Sequence, residues 1–134
     1  MIVRIDHIGI AVRNLEEQLK LYTDVLGLGG VHSELVPSEG ARIGFVRIGE
    51  SDVELLEATT EDGVLARFIE KHGEGVHHIA LQVEDCAATL AAVRATGLRT
   101  VDEVPRPGAG GTKVAFIHPK SAGGVLIELV EHPR

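Results

Sequence analysis

The chain repeats itself. Ile5-Asp6-His7-Ile8-Gly9-Ile10-Ala11-Val12 returns as Val76-His77-His78-Ile79-Ala80-Leu81-Gln82-Val83, and Val53-Glu54-Leu55-Leu56-Glu57 returns as Ile127-Glu128-Leu129-Val130-Glu131. His7 and His78 are 71 positions apart, as are Leu19 and Leu90, whereas Gly27-Leu28 and Gly97-Leu98 are 70 apart. Glu54 and Glu128 are 74 apart, so the second copy is slightly longer before its last strand, where its Gly-rich stretch lies. A period of this kind constrains the fold before any local reading, because each copy is one supersecondary unit. A single copy of about 65 residues is marginal as a free domain, so the halves are expected to share a core or to pair through a dimer.

Composition narrows the function. The formal charge is -7, and the aromatic residues are Tyr22, Phe45, Phe68 and Phe116, a balance that argues against a nucleic-acid platform with its basic groove and stacking rings. The single Cys86 excludes an intrachain disulfide, a zinc finger and a dithiol redox site. No apolar run reaches the length of a membrane span or follows a basic start, so a cytoplasmic location is expected.

Periodicity predicts the elements. A strand over 2–12 alternates so that Ile8, Ile10 and Val12 share one face and His7, Gly9 and Ala11 the other. A helix follows from Asn14 as N-cap through Leu15, Leu19, Tyr22 and Leu26, closed by Gly27. A weaker strand covers 31–36, and 41–48 with 51–58 reads as a hairpin turned at Gly49-Glu50. A helix over 63–72 links module one, about 1–60, to module two, about 75–132, within a single domain. In module two Asp85 caps a helix ending at Gly97, and strands are expected near 100–104, 114–117 and 125–130. The predicted class is α+β: two tandem βαβββ modules forming a curved mixed sheet around a metal-binding cleft, with helices outside.

Side-chain parity selects the chemistry. Ile79, Leu81 and Val83 match the helix-packed residues of the first copy, so His78 and not His77 is the partner of His7. By the same alternation Val53 and Leu55 face the helices, leaving Glu54, and equivalently Glu128, on the cleft side. A carboxylate in mid-strand is costly unless its charge is compensated, and a divalent metal does that. Two imidazoles and two carboxylates suit Co, Mn, Ni, Fe or Zn better than Ca, cobalt being our first choice. Any one of the four alone is more often structural or solvated; the repeated quartet favours a metal site. Glu57 and Glu131, at the strand ends, read as solvated, or as supports for a ligand. His77 is expected to pack or bond locally, and His32, His72, His118 and His132 are weaker candidates.

Between 105 and 113 the segment Pro105-Arg106-Pro107-Gly108-Ala109-Gly110-Gly111-Thr112-Lys113 has the composition of a loop that closes over a ligand, although Gly and Pro by themselves only indicate a turn. It lacks the ending of a P-loop. Arg106 and Lys113, with Lys120 and Ser121 nearby, are candidate contacts for an anionic substrate.

The segment His118-Pro119-Lys120-Ser121-Ala122-Gly123-Gly124-Val125-Leu126-Ile127-Glu128-Leu129, together with the His7 and His78 strands and Glu54-Leu55-Leu56-Glu57-Ala58, resembles the methylmalonyl-CoA epimerase family of the vicinal oxygen chelate superfamily. The likeness runs over essentially the whole chain. It implies His7, Glu54, His78 and Glu128 as metal ligands, Glu128 also as a catalytic base, an acyl-CoA substrate and a homodimer. Some members carry a second catalytic Glu where this chain has Ile43, which leaves that base unassigned, with Glu39, Glu54 or a metal-bound water as candidates. The implied reaction is epimerisation at C2 of methylmalonyl-CoA by proton removal through a metal-stabilised enolate. A glyoxalase I acting on a glutathione thiohemiacetal shares the quartet and the enolate chemistry, but does not generally show the HPKS-to-GVLIEL segment. A ring-cleaving dioxygenase is less favoured, and a metal-free binding or resistance module needs no complete quartet.

Overall fold

The computed structural model describes residues 1–134. They form two compact units, one of His7–His77 and one of Met1–Asp6 with His78–Arg134. The opening strand, β1 (Ile2–Ala11), contributes to both.

In the unit His7–His77, β1 leads into α1 (Leu15–Lys20), β2 (His32–Val36), β3 (Ala41–Ile48), β4 (Ser51–Ala58) and α2 (Val64–His72). The strand order is β2-β3-β4-β1, with β4 parallel to β1 and antiparallel to β3. Gly49 takes the left-handed φ of 63° that the two-residue turn between β3 and β4 demands. The Asn14 carboxamide accepts the Glu17 N–H at 3.0 Å and starts α1, whose Leu15 packs with Val12 and Leu55 beside Ile10, Leu19, Tyr22 and Val53. A Cβ at Gly44 would lie 2.8 Å from Leu15 Cδ1, so the side chains of α1 come down directly on β3 at this glycine. Gly44 and Leu55 therefore mark the helix side of this sheet, and Ile43, Phe45, Glu54 and Leu56 the other.

The second unit repeats the plan with β5 (Gly75–Val83), α3 (Cys86–Ala95), β6 (Arg106–Pro107), β7 (Lys113–Ile117) and β8 (Ile127–Glu131), ordered β1-β5-β8-β7-β6. Asp85 caps α3 through the Ala88 N–H at 3.0 Å. Val83, Cys86, Leu90, Ala115 and Leu129 fill the space between helix and sheet, while Ala80, Val114, Phe116 and Val130 cluster on the opposite face. No helix is long and apolar enough to cross a membrane.

Four local expectations are corrected. The first helix is α-helical only to Lys20 and continues as a π turn over Leu21–Val25, with the Leu26 N–H bonded five residues back to Leu21. The wider turn rotates Leu26 off the apolar stripe, and it is exposed. The strand expected near 100–104 is reduced to a bridge between Thr100 and Ile117, and pairing resumes at Arg106–Pro107. There the Asp102 carboxylate takes the Phe116 N–H at 2.8 Å, a bond that a neighbouring backbone carbonyl would otherwise make. The last strand starts at Ile127 and not near 125, because Gly123 and Gly124 turn the chain with φ of 64° and 89°. Ile8, placed on the helix-packed face by alternation, is partly exposed, since the cluster beneath α1 begins at Ile10.

Candidate metal centre

Each unit brings one imidazole and one carboxylate together. In the first, His7 on β1 and Glu54 on β4 are buried, with His7 Nδ1 3.0 Å from Glu54 Oε2. In the second, His78 on β5 and Glu128 on β8 are buried, with His78 Nε2 2.9 Å from Glu128 Oε1. The register is the same in both: the residue two beyond the histidine, Gly9 or Ala80, stands opposite the glutamate on a parallel strand. The small residue at that position leaves the carboxylate room beside the imidazole.

The donors fit a divalent cation. Two ligand atoms bound about 2.1 Å from one ion at a right angle lie about 3 Å apart, the spacing seen in each pair. A buried carboxylate also requires a compensating positive charge, which an ion supplies without a proton. Imidazole nitrogen with carboxylate oxygen is a donor mixture of borderline hardness.

The pairs have repeated neighbours that the repeat alone could have revealed. Phe45 stands opposite Glu54 and Phe116 opposite Glu128, and these phenylalanines are 71 positions apart. Each carries a cationic or ionisable group on its ring: His32 stacks on Phe45 with centroids 4.7 Å apart, and the Arg106 guanidinium lies 5.1 Å from the Phe116 centroid. Phe116 also meets the His78 ring edge-on at 5.8 Å. Arg106 is further fixed by its Nε, which donates to Asp102 Oδ1 at 2.9 Å. Of the four proposed substrate contacts, Arg106 is thus tied through Phe116 to the His78–Glu128 pair.

The others sit differently. Lys113 opens β7, its Nζ 3.9 Å from Glu131. The Ser121 hydroxyl accepts the Arg99 N–H at 2.8 Å, and His118 Nδ1 accepts the Lys120 N–H at 3.1 Å, so HPKS builds a tight turn with Lys120 exposed on it. The His118 imidazole titrates below its ordinary range through desolvation and the positive charges of Arg99 and Lys120. The Gly-rich segment is a packed turn: Thr112 is buried with its hydroxyl on the Ala109 carbonyl, and a Cβ at Gly108 would meet Thr112 Oγ1 at 2.5 Å.

Glu57 and Glu131, read as solvated, hold helix starts instead. Glu57 accepts the Leu15 N–H at 2.9 Å and Glu131 the Cys86 N–H at 2.8 Å, the same bond in both copies. His77 packs edge-on against Phe68. Asp6 was missed altogether: it is buried and held by Arg4 and His132, with His77 at its repeat position and no sequence signal to mark it. Ile43, at the position of a second family carboxylate, is buried and apolar.

The sequence profile described as Glyoxalase/Bleomycin resistance protein/Dioxygenase superfamily matches residues 6–116. The chain is 35% identical over 127 residues to the mitochondrial methylmalonyl-CoA epimerase of Homo sapiens, covering 94% of this chain and 72% of that protein. It is also similar to the lactoylglutathione lyase of Haemophilus influenzae, 33% identical with 97% and 93% covered. Among solved structures, the methylmalonyl-CoA epimerase of Streptomyces coelicolor in complex with 2-nitronate-propionyl-CoA superposes with a TM-score of 0.95 at 38% identity, covering 100% of both chains. The fold expected from the duplication is therefore the fold of that enzyme.

Proposed function

The chain belongs to the Glyoxalase/Bleomycin resistance protein/Dioxygenase superfamily, and from that membership we propose that it is a metal-dependent epimerase interconverting (2R)- and (2S)-methylmalonyl-CoA. The human and Streptomyces relatives are named methylmalonyl-CoA epimerases. The observation in this chain that supports it most is the duplicated, buried His–Glu pair at one register.

In this reading His7, Glu54, His78 and Glu128 hold one divalent ion, with cobalt preferred and manganese, nickel, zinc or iron acceptable to the same donors. When bound, the ion stabilises negative charge developing on the thioester oxygen. Glu128 removes the C2 proton, which is acidic because a thioester and a carboxylate flank it, and the C–H electron pair moves toward the thioester carbonyl to give an enolate. Arg106, oriented by Asp102 and Phe116, receives an anionic group of the substrate. Lys113, Lys120 and Ser121 take the anionic groups of the acyl-CoA. A cytoplasmic homodimer completes the proposal; apolar Ile2 and Val3, exposed at the start of β1, support the pairing.

The test runs two substrates on one metal-loaded preparation. Inversion of methylmalonyl-CoA, with C2 deuterium uptake from D2O, is expected. Turnover of the glutathione thiohemiacetal without inversion would establish instead the lyase reading that the Haemophilus relative favours. Glu128→Gln keeps an oxygen donor and loses basicity, so metal content holds while C2 exchange by this group falls about 100-fold or more. Undiminished exchange in that variant removes Glu128 from the mechanism.

A further inference from the structure

Which anionic group Arg106 takes follows from how it is held. Asp102 lies just after the bridge between Thr100 and Ile117 and uses both carboxylate oxygens. Oδ1 accepts the Arg106 Nε–H at 2.9 Å, and Oδ2 accepts the Phe116 N–H at 2.8 Å. The backbone here is held separately: the Thr100 hydroxyl donates to the Asp102 carbonyl at 2.7 Å, and the Val101 N–H to the Phe116 carbonyl at 2.8 Å. Arg106 is fixed in turn, with Pro105 and Pro107 on either side and its backbone paired to Val114. Its guanidinium carbon lies 5.1 Å from the Phe116 centroid.

All of these groups belong to one unit, which also holds the His78–Glu128 pair. Phe116 stands opposite Glu128 and meets the His78 ring edge-on at 5.8 Å. A single phenylalanine therefore separates the guanidinium from a pair that, in the epimerase reading, lies at the thioester. The acyl carboxylate of a malonyl thioester is one carbon away from the thioester carbonyl. The phosphates lie beyond the pantetheine arm, roughly 14 Å off when it is extended. A guanidinium is a planar fork that matches a carboxylate, and its five N–H donors can serve Asp102 and a ligand together. The Arg106 side chain is 35% exposed against 12% for Asp102, so an incoming ligand meets the base and not the acid.

We propose that Asp102 is a positioning residue that makes Arg106 the reader of the substrate's acyl carboxylate. The site then selects acyl-CoAs that carry a second carboxylate over those that lack one. This rests on the epimerase reading above. Asp102 works against its own charge, because its carboxylate repels the arriving anion. What it contributes is orientation: the fork has lost its rotamer freedom before the ligand arrives.

Asp102→Asn separates orientation from charge. Its side-chain oxygen still accepts the Phe116 N–H, while its NH2 group meets the Arg106 Nε–H donor to donor and releases the fork. The variant also leaves the neighbourhood more positive. Malonyl-CoA and acetyl-CoA, which differ only in the carboxylate, are titrated by calorimetry into metal-loaded full-length protein. Wild type is expected to prefer malonyl-CoA. Asp102→Asn is expected to narrow that preference at least about tenfold, with acetyl-CoA binding within about twofold of wild type. Arg106→Gln is expected to narrow it as far, and Asp102→Asn added to Arg106→Gln to change it no further, since Asp102 acts through Arg106. Equal loss for both esters marks a merely structural role, and a preference held or widened in Asp102→Asn means that charge alone draws the carboxylate; either overturns the assignment. A preference for CoA over 3′-dephospho-CoA that narrows in Asp102→Asn while the malonyl preference holds gives Arg106 a phosphate and overturns it too. If circular dichroism shows that Asp102→Asn does not fold, Arg106→Lys keeps the charge, loses the fork and is expected to narrow the malonyl preference about tenfold. An undiminished preference in that variant overturns the assignment. Wild type that does not invert methylmalonyl-CoA overturns the epimerase reading, whereas inverting wild type with these ratios unmoved by the variants overturns this inference alone.

Discussion

A thiol at the first position of a helix is often the activated kind, yet Cys86 is the opposite. It is fully buried, its Sγ lies 3.7 Å from the Leu129 carbonyl, and its pKa is pushed up from 9.0 to about 11. Burial is the largest cause, followed by the negative charges of Glu131 and Glu128 and then of Asp102 and Asp85. At pH 8 about one molecule in a thousand carries the thiolate, so iodoacetamide is expected to leave Cys86 unmodified in the metal-free native protein and to label it once urea unfolds the chain. Because the folded pKa lies above the unfolded one, this group's share of stability is complete below about pH 9 and lost as pH rises through about 11. Cys86→Ala should flatten the fall in urea midpoint across that window; an unchanged fall would place the titration elsewhere. At this scale the sequence made the four proposed ligands legible because they are repeated and polar on apolar strands. It hid Phe45 and Phe116, also repeated, because a strand phenylalanine looks like core.

Between residue and domain, each copy ties its helix start to the end of its own strand by a bond that alternation alone does not suggest. The last residues of β4 and β8 look solvent-bound by position, but the chain bends from strand to helix so that the first helical N–H points at them. Leu15 N–H to Glu57 and Cys86 N–H to Glu131 each satisfy an orphan donor at a helix start and place a negative charge where the helix dipole welcomes it. Glu57→Ala and Glu131→Ala are each expected to cost about 1–2 kcal/mol in urea unfolding, with glutamine recovering part by keeping an acceptor. A loss under about 0.3 kcal/mol would mean that water replaces the carboxylate at no cost. Most elements were legible from period and punctuation: Asn14 and Asp85 cap as expected, and Gly49 turns the hairpin. The misses have local causes. A π turn after Lys20 breaks the helical period, and the Asp102 side chain competes for a strand hydrogen bond, and neither leaves a hydrophobic pattern to read.

For the whole molecule the duplication raises a question of number: two equivalent His–Glu pairs permit two ions per chain or one shared between them. Two donors per ion leave most of a coordination sphere to water, whereas four protein donors with open positions for substrate make a tighter and chemically useful site. The proposed epimerase reading takes one shared ion, and the variants that test it against two separate ions remove one histidine from either copy. If the ion is shared, His7→Ala and His78→Ala each lose essentially all metal under conditions where wild type retains one equivalent per chain by elemental analysis. If each pair holds its own, either variant retains half of what wild type binds. Stability follows the same logic, since an ion bound only by the folded state at 100 times its dissociation constant adds about 2.7 kcal/mol. Chelation should therefore lower the melting temperature of wild type by several degrees and leave both single variants where they were. A chelation shift that survives in either variant at half its size would assign an independent ion to each copy.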